Sequence, residues 1–408
     1  MNMQYRLSNL TFRQMRLHPN ISFGILFEGA LKLLWCSVLA STISLAICTV
    51  ARAENPSARA HLGYSMKHPL VKAGWYSFSE KLKTEEDAPK LKVFLNGPAG
   101  DDFSAIENLA RGHYQFGSAA LPSFPETFPH AALLAEMGLV GGGNELAATA
   151  AITELLAIQC KPCAQIFDRQ GIVFLGAYGA APFVILSYDA LNTPLAFQEL
   201  TTLTPGTAWD RLIISLGGKV TQDFSDAGDL FARGEISAAI ATPLELSNPA
   251  VKAQTRNILS APLGAFRGGG AFLASASYWR QLSAEARGSI LNALPSAIVS
   301  TSIEYKRISD LAIEEAKAEG LIVSQATQDL ATKIHQHAEN DLSAIIQTAE
   351  NRFGLTNASE FASQFLSLNQ KFEKLLAKTQ TEEEAAQILK AEIFDQLKRS
   401  KYGSAPKE

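Results

Sequence analysis

SLGGKVTQDFSDAGDLFARGEISAAIATP, residues 215–243, is where the fold class is decided. Gly217-Gly218 stop an amphipathic helix over Thr207–Leu216, and Lys219–Thr221 restart the chain as a short strand. Ser225–Ala232 then reads as a helix that Gly234 ends. Ile236–Ala241 (ISAAIA) lacks the polar alternation of a half-solvated strand, so it belongs in a sheet covered on both faces. Strand, helix and doubly buried strand in succession define an α/β architecture.

The same alternation extends in both directions. Towards the N-terminus, Ala60–Met66 and Leu91–Leu95 read as strands, with an amphipathic helix over Pro69–Lys83 between them. Asn96–Gly100 is a turn, Phe103–Arg111 and Phe128–Met137 are helices, and Tyr114–Ala120 is a strand. An Ala-rich helix over Glu145–Ile158 precedes the strands Gly171–Gly176 and Phe183–Ser187. Towards the C-terminus, Asn257–Leu263 and Ala271–Ala276 are extended segments around a Gly-rich hairpin at Arg267–Gly270. Ser283 caps a long helical stretch to Gly320, which Pro295 should kink or divide. Leu321–Val323 is a last short strand. Residues 327–400 form amphipathic helices broken near Gly354–Asn357 and Thr379–Thr381, and Lys401–Glu408 is a tail.

The N-terminus is an export signal in form. Arg6, Arg13, Arg16 and Lys32 precede the apolar run Leu33–Val50, and Ala51-Arg52-Ala53 supplies the small residues that signal peptidase requires before Glu54. An uncleaved anchor is the competing reading, since the run approaches the roughly 20 residues of a membrane span. Without residues 1–53 the chain loses five of its 36 basic and one of its 40 acidic residues, leaving a formal charge of −8. An acidic chain with no basic stripe is a poor nucleic-acid binder, so none is expected as a partner.

Of the four cysteines, Cys160 and Cys163 lie outside the signal. In an exported protein a C-x-x-C pair is first a disulfide. A thioredoxin-type redox pair wants its cysteines at the start of a helix, whereas this pair follows the Glu145–Ile158 helix. A zinc site would need two further ligands, and no second pair exists. No phosphate loop, nucleophile elbow or H-E-x-x-H helix occurs, and Gly176–Gly179 lacks the third glycine of a dinucleotide site. No catalytic residue, metal or cofactor is therefore expected, and binding is favoured over catalysis.

Several segments, in order, resemble the solute-binding receptors of tripartite ATP-independent periplasmic (TRAP) transporters. The resemblance runs from about Ala60 to Asp329 and rests on His68-Pro69 before the helix carrying Phe78, LKVFLNGPAGDD with SAIENLARG, and Phe124-Pro125. GIVFLGAYG, SLGGKV followed by DLFARGEISAAIATP, and Tyr278–Leu282 before Ser283 complete it. It implies two α/β lobes joined by crossing strands, a long helix spanning both, and a small organic solute in the cleft, delivered to TRAP-type membrane subunits. The implied organisation is a signal peptide (1–53), lobe I (54–180 and 262–282), lobe II (181–261 and 283–326) and a C-terminal helical extension (327–408). A ligand-sensing module not coupled to transport, or a secreted enzyme on the same frame, are the alternatives.

Many members carry an Arg that pairs with a ligand carboxylate soon after a segment that here reads Gln198–Thr207, and no Arg stands there. Arg267, between Phe266 and three glycines, is the expected substitute. Tyr178, Ser187, Thr207, Trp209 and Thr242 are the other candidate ligand contacts, from loop or strand-end positions.

Overall fold

Two sheets divide the strands of the computed structural model, which describes residues 57–95, 102–222, 227–399 and 402–404. The expected export signal, the expected turn at Asn96–Gly100, the first positions of the expected helix 225–232 and most of the expected tail lie outside the described residues. In chain order the strands are β1 (Ala58–Leu62), β2 (Leu91–Leu95), β3 (Phe116–Ala119), β4 (Ile172–Tyr178), β5 (Val184–Ser187) and β6 (Thr201–Leu203). There follow β7 (Lys219–Thr221), β8 (Ala238–Ala241), β9 (Asn257–Ser260), β10 (Gly269–Ser275) and β11 (Ile322–Gln325).

The lobe I sheet has the order β2-β1-β3-β10-β4, and the lobe II sheet β11-β9-β5-β8-β6-β7. In lobe I, β1 pairs parallel with β2 and β3, while β10 runs antiparallel between β3 and β4. In lobe II, β6 pairs parallel with β7 and β8, and β5 runs antiparallel to β8 and β9. The unalternating ISAAIA segment is central as its composition requires, because all four residues of β8 are buried.

The chain passes between lobes from β4 to β5, from β9 to β10, and along the helix Ala284–Ala318. The residues around Arg267–Gly270 therefore form no hairpin, since β9 and β10 belong to different sheets. Gly264 sits on this second crossing with φ 62°, and a Cβ there would collide with the Gly138 carbonyl. Only glycine allows that approach.

The long helix runs unbroken for 35 residues, about 52 Å at 1.5 Å per residue, with Ser283 Oγ accepting from the Ala286 N–H. Pro295 does not divide it: Ala293, Leu294 and Ala297 beside it are fully buried in lobe I, and that packing outweighs one missing hydrogen bond. Ala316, near the other end, belongs to a lobe II cluster. A second helix, Gln328–Phe353, also joins the lobes. Its Leu330, Ile334 and Ala338 pack in lobe II, and its Ile345 and Ala349 in lobe I. The helices Ala358–Leu376 and Glu382–Leu389 then return over lobe I and the spanning helix.

The lobe I core is aromatic. Trp75 and Phe78 meet Phe272 of β10 at 4.9 and 5.6 Å between ring centroids. Trp75 Nε1 donates to Ser118 Oγ at 2.8 Å, and that hydroxyl donates to the Ala271 carbonyl, so the buried indole leaves no polar atom unpaired. Among the described residues no helix is long and apolar enough to cross a membrane.

Candidate functional site

The chain leaves β4 and β9 at their C-terminal ends to cross between the sheets, and strand ends at such crossings are where this architecture places a ligand. A cavity of about 570 Å³ lies there. Lobe I contributes Gly143–Leu146, including the start of the helix Glu145–Glu154, and the first crossing contributes Ala180–Val184. Lobe II adds Pro243, Ser260 and Ala261, while Ser302, Lys306, Ser309 and Asp310 face the cavity from the spanning helix.

The polar groups here are of two kinds. The charged ones are already paired: Lys306 Nζ binds Asp310 at 2.6 Å, and Glu145 binds Arg267 at 3.3 Å. The neutral ones have capacity left. Ser309 is 5% exposed, and its hydroxyl has no hydrogen-bond partner. Asn144 caps the Glu145–Glu154 helix by accepting from the Ala147 N–H at 3.0 Å, which occupies its carbonyl oxygen rather than its NH₂.

None of the six candidate ligand residues borders this cavity. Arg267 is completely buried. Its Nη1 donates to the carbonyls of Met137 and Val140, its Nη2 to Gly142 and Glu145, and its Nε to Glu145. All five N–H groups are thus spent on lobe I, and the guanidinium also lies 5.9 Å from the Phe365 ring centroid. The side chain holds the Met137–Gly142 turn in place.

Trp209 donates from Nε1 to the Leu263 carbonyl at 2.8 Å and packs edge-on against Phe183, itself a lining residue of the cavity. Thr207 donates to Glu136 of lobe I. Ser187 lies at the far end of β5, bonded to the Asp189 carbonyl at 2.7 Å. Tyr178 ends β4 and stacks parallel to Tyr305 at 6.2 Å. Thr242 precedes Pro243 at the cavity rim.

Sequence reasoning missed the spanning-helix face. Ser302, Lys306, Ser309 and Ile313 recur at helical spacing, but nothing local distinguishes a cavity-facing stripe from an ordinary polar face. Close by, His68 packs against Tyr64 at 4.2 Å and meets the Tyr305 hydroxyl at 3.2 Å. Burial holds its pKa down at about 4, so the ring is neutral.

Cys160 and Cys163 form a disulfide, as expected for an exported C-x-x-C pair. The local placement differs from expectation. Cys160 closes one helix and also caps the next, Lys161–Arg169, with its Sγ facing the Cys163 N–H at 3.1 Å. Pro162 occupies the first turn of that helix, where a missing N–H costs nothing. The pair therefore has the helix-start position of redox disulfides. Its cysteines are 5% and 2% exposed, sheltered from an attacking thiolate.

No protein-family model matches the sequence, and no curated protein is similar enough to match it. Solved structures do match. A TRAP periplasmic solute-binding protein from Desulfovibrio salexigens aligns with TM-score 0.66 at 13% identity, covering 80% of this chain and 98% of its own. One from Rhodobacter sphaeroides aligns with TM-score 0.66 at 14% identity, over 78% of this chain and all of its own. This fold is the one those receptors share. The periplasmic ectoine-binding protein of the TeaABC TRAP transporter from Halomonas elongata gives TM-score 0.61 at 15% identity, covering 78% and 99%.

Proposed function

We propose that this chain is an exported receptor that captures a small solute in the interlobe cavity and presents it to TRAP-type membrane subunits. The carrying observation is the cavity's position, between the strand ends of two lobes and along a helix common to both. Its volume lies within the roughly 300–1,000 Å³ of small-molecule sites. The likeness to TRAP receptors over nearly their whole length supports the same reading. Periplasmic location and cleavage after Ala53 follow from it, together with the Ala51-Arg52-Ala53 signal. Thr242, next to the lining residue Pro243, and Tyr178, stacked on Tyr305, are proposed to position the cavity lining rather than to touch the solute. Arg267, Trp209, Thr207 and Ser187 are assigned structural roles, through the bonds described above.

The test is a thermal-shift screen of the exported protein against organic acids, amino acids, sugars and polyols. A solute at a hundred times its dissociation constant stabilises the fold by about 2.7 kcal/mol. A broad library without a single shift would remove the receptor reading.

One observation favours a second reading. The Gln328–Phe353 helix packs in both lobes, and its Asp341 binds Arg211 of lobe II. A frame tied in this way suits a fixed interaction module. Small-angle scattering with and without ligand separates the two, since a transport receptor contracts on binding.

A further inference from the structure

We infer that the solute is uncharged, a polyol, sugar or amide rather than a carboxylate. This rests on the receptor reading above and adds the ligand class. The argument is a charge inventory of the cavity. Among the described residues three ionised groups border it, and each already has its counter-ion: Lys306 with Asp310, and Glu145 with the buried Arg267. Lys306 and Asp310 are also largely in water, with side chains 73% and 59% exposed. Their field at the ligand is therefore screened. The internal segments 96–101 and 223–226 contain no Lys, Arg or His.

A carboxylate entering this cavity would find only Lys306, already paired with Asp310 and largely in water, which is weak compensation for its lost hydration. An ammonium faces the converse problem, because both nearby carboxylates are spent.

A neutral ligand meets the opposite situation. Ser309 is buried and its hydroxyl bonds no protein group, so a ligand hydrogen bond there is gained without breaking one within the protein. The exposed Asn144 side chain gives its carbonyl oxygen to the Ala147 N–H, so its NH₂ is the end that can turn to a ligand. A ligand hydroxyl or amide carbonyl accepts from both. Ala180, Ala181, Pro182 and Phe183 supply apolar wall for the carbon skeleton.

The test compares two panels by thermal shift and calorimetry on the exported protein: uncharged polyols, sugars and amides against mono- and dicarboxylates and amino acids. At least one uncharged solute is expected to bind, with an affinity that changes less than about twofold between low and high salt. Ser309→Ala is expected to weaken the bound solute on the order of tenfold. Binding by a carboxylate and by no uncharged solute would overturn the ligand class and leave the receptor standing. Binding of an uncharged solute that Ser309→Ala leaves unchanged would also overturn it. Silence from both panels would bring down the receptor reading and this inference together.

Discussion

Arg211 of lobe II grips Asp341 of the C-terminal bridging helix bidentately, with Nε at 2.7 Å and Nη2 at 2.8 Å from its two carboxylate oxygens. The same guanidinium reaches Glu136 of lobe I at 3.1 Å. One cation therefore ties three parts of the fold that lie far apart in sequence. Burial would lower its pKa, but Asp341 and Glu136 outweigh that and raise it. Asp341 is only 5% exposed on its side chain, so losing Arg211 strands a buried carboxylate.

Arg211→Met is accordingly expected to destabilise the protein by about 2–3 kcal/mol, short of a fully buried pair because Arg211 is 25% exposed. Urea denaturation reads the loss. Scattering should also report a larger radius of gyration, because the lobes gain freedom about the crossings. An unchanged radius would mean that packing alone holds them.

For Arg267 the expectation is structural. Arg267→Ala strips five hydrogen bonds from lobe I and leaves Glu145 without its counter-ion. A stability loss of about 3–5 kcal/mol follows, the range for breaking a buried charged pair. Were the variant stable and deficient only in ligand binding, Arg267 would be a ligand contact after all.

Removing the disulfide should cost little. The Cys160–Cys163 bridge closes a loop with a sequence separation of only three. Chain entropy for so short a loop gives about 2 kcal/mol. Cys160→Ser with Cys163→Ser should therefore fold with a modestly lower melting temperature, and the fully reduced wild type should match it.

Acid should weaken the fold through two histidines. Burial lowers His68 to about 4, and burial, partly offset by Asn357, brings His130 to about 4. An unfolded chain protonates these rings near the ordinary imidazole value of 6.5. Between those values the unfolded state binds more protons, so stability is full above about 6.5 and falls as the pH drops towards 4. Each ring contributes at most about 3 kcal/mol. His130→Leu should flatten the dependence of the urea midpoint between neutral and acid pH, and an equally steep slope would acquit the ring.

Much of the fold was legible because its signals are local. Ser283 before an apolar helix, Gly354 at a left-handed helix end and the unalternating Ala238–Ala241 each report their structure within a few residues. Where reading failed, two local rules competed. The Cys160–Cys163 pair was placed at a helix end and proved also to start the next helix. Arg267 among glycines has the composition of an exposed turn, yet it is buried, because the carbonyls it satisfies belong to residues 137–142.

The sequence by itself determined the α/β alternation, the helix caps, the disulfide pair and the absence of an arginine from Gln198–Thr207. Each depends on backbone preference or residue identity over a few positions. Only the tertiary structure decided that Arg267 is spent, that Ser309 is buried with an unbonded hydroxyl, and that Arg211 ties lobe to lobe through Asp341. The physical reason is that hydrogen bonding and charge pairing are settled by which groups meet in space. In this chain those partners lie more than a hundred residues apart.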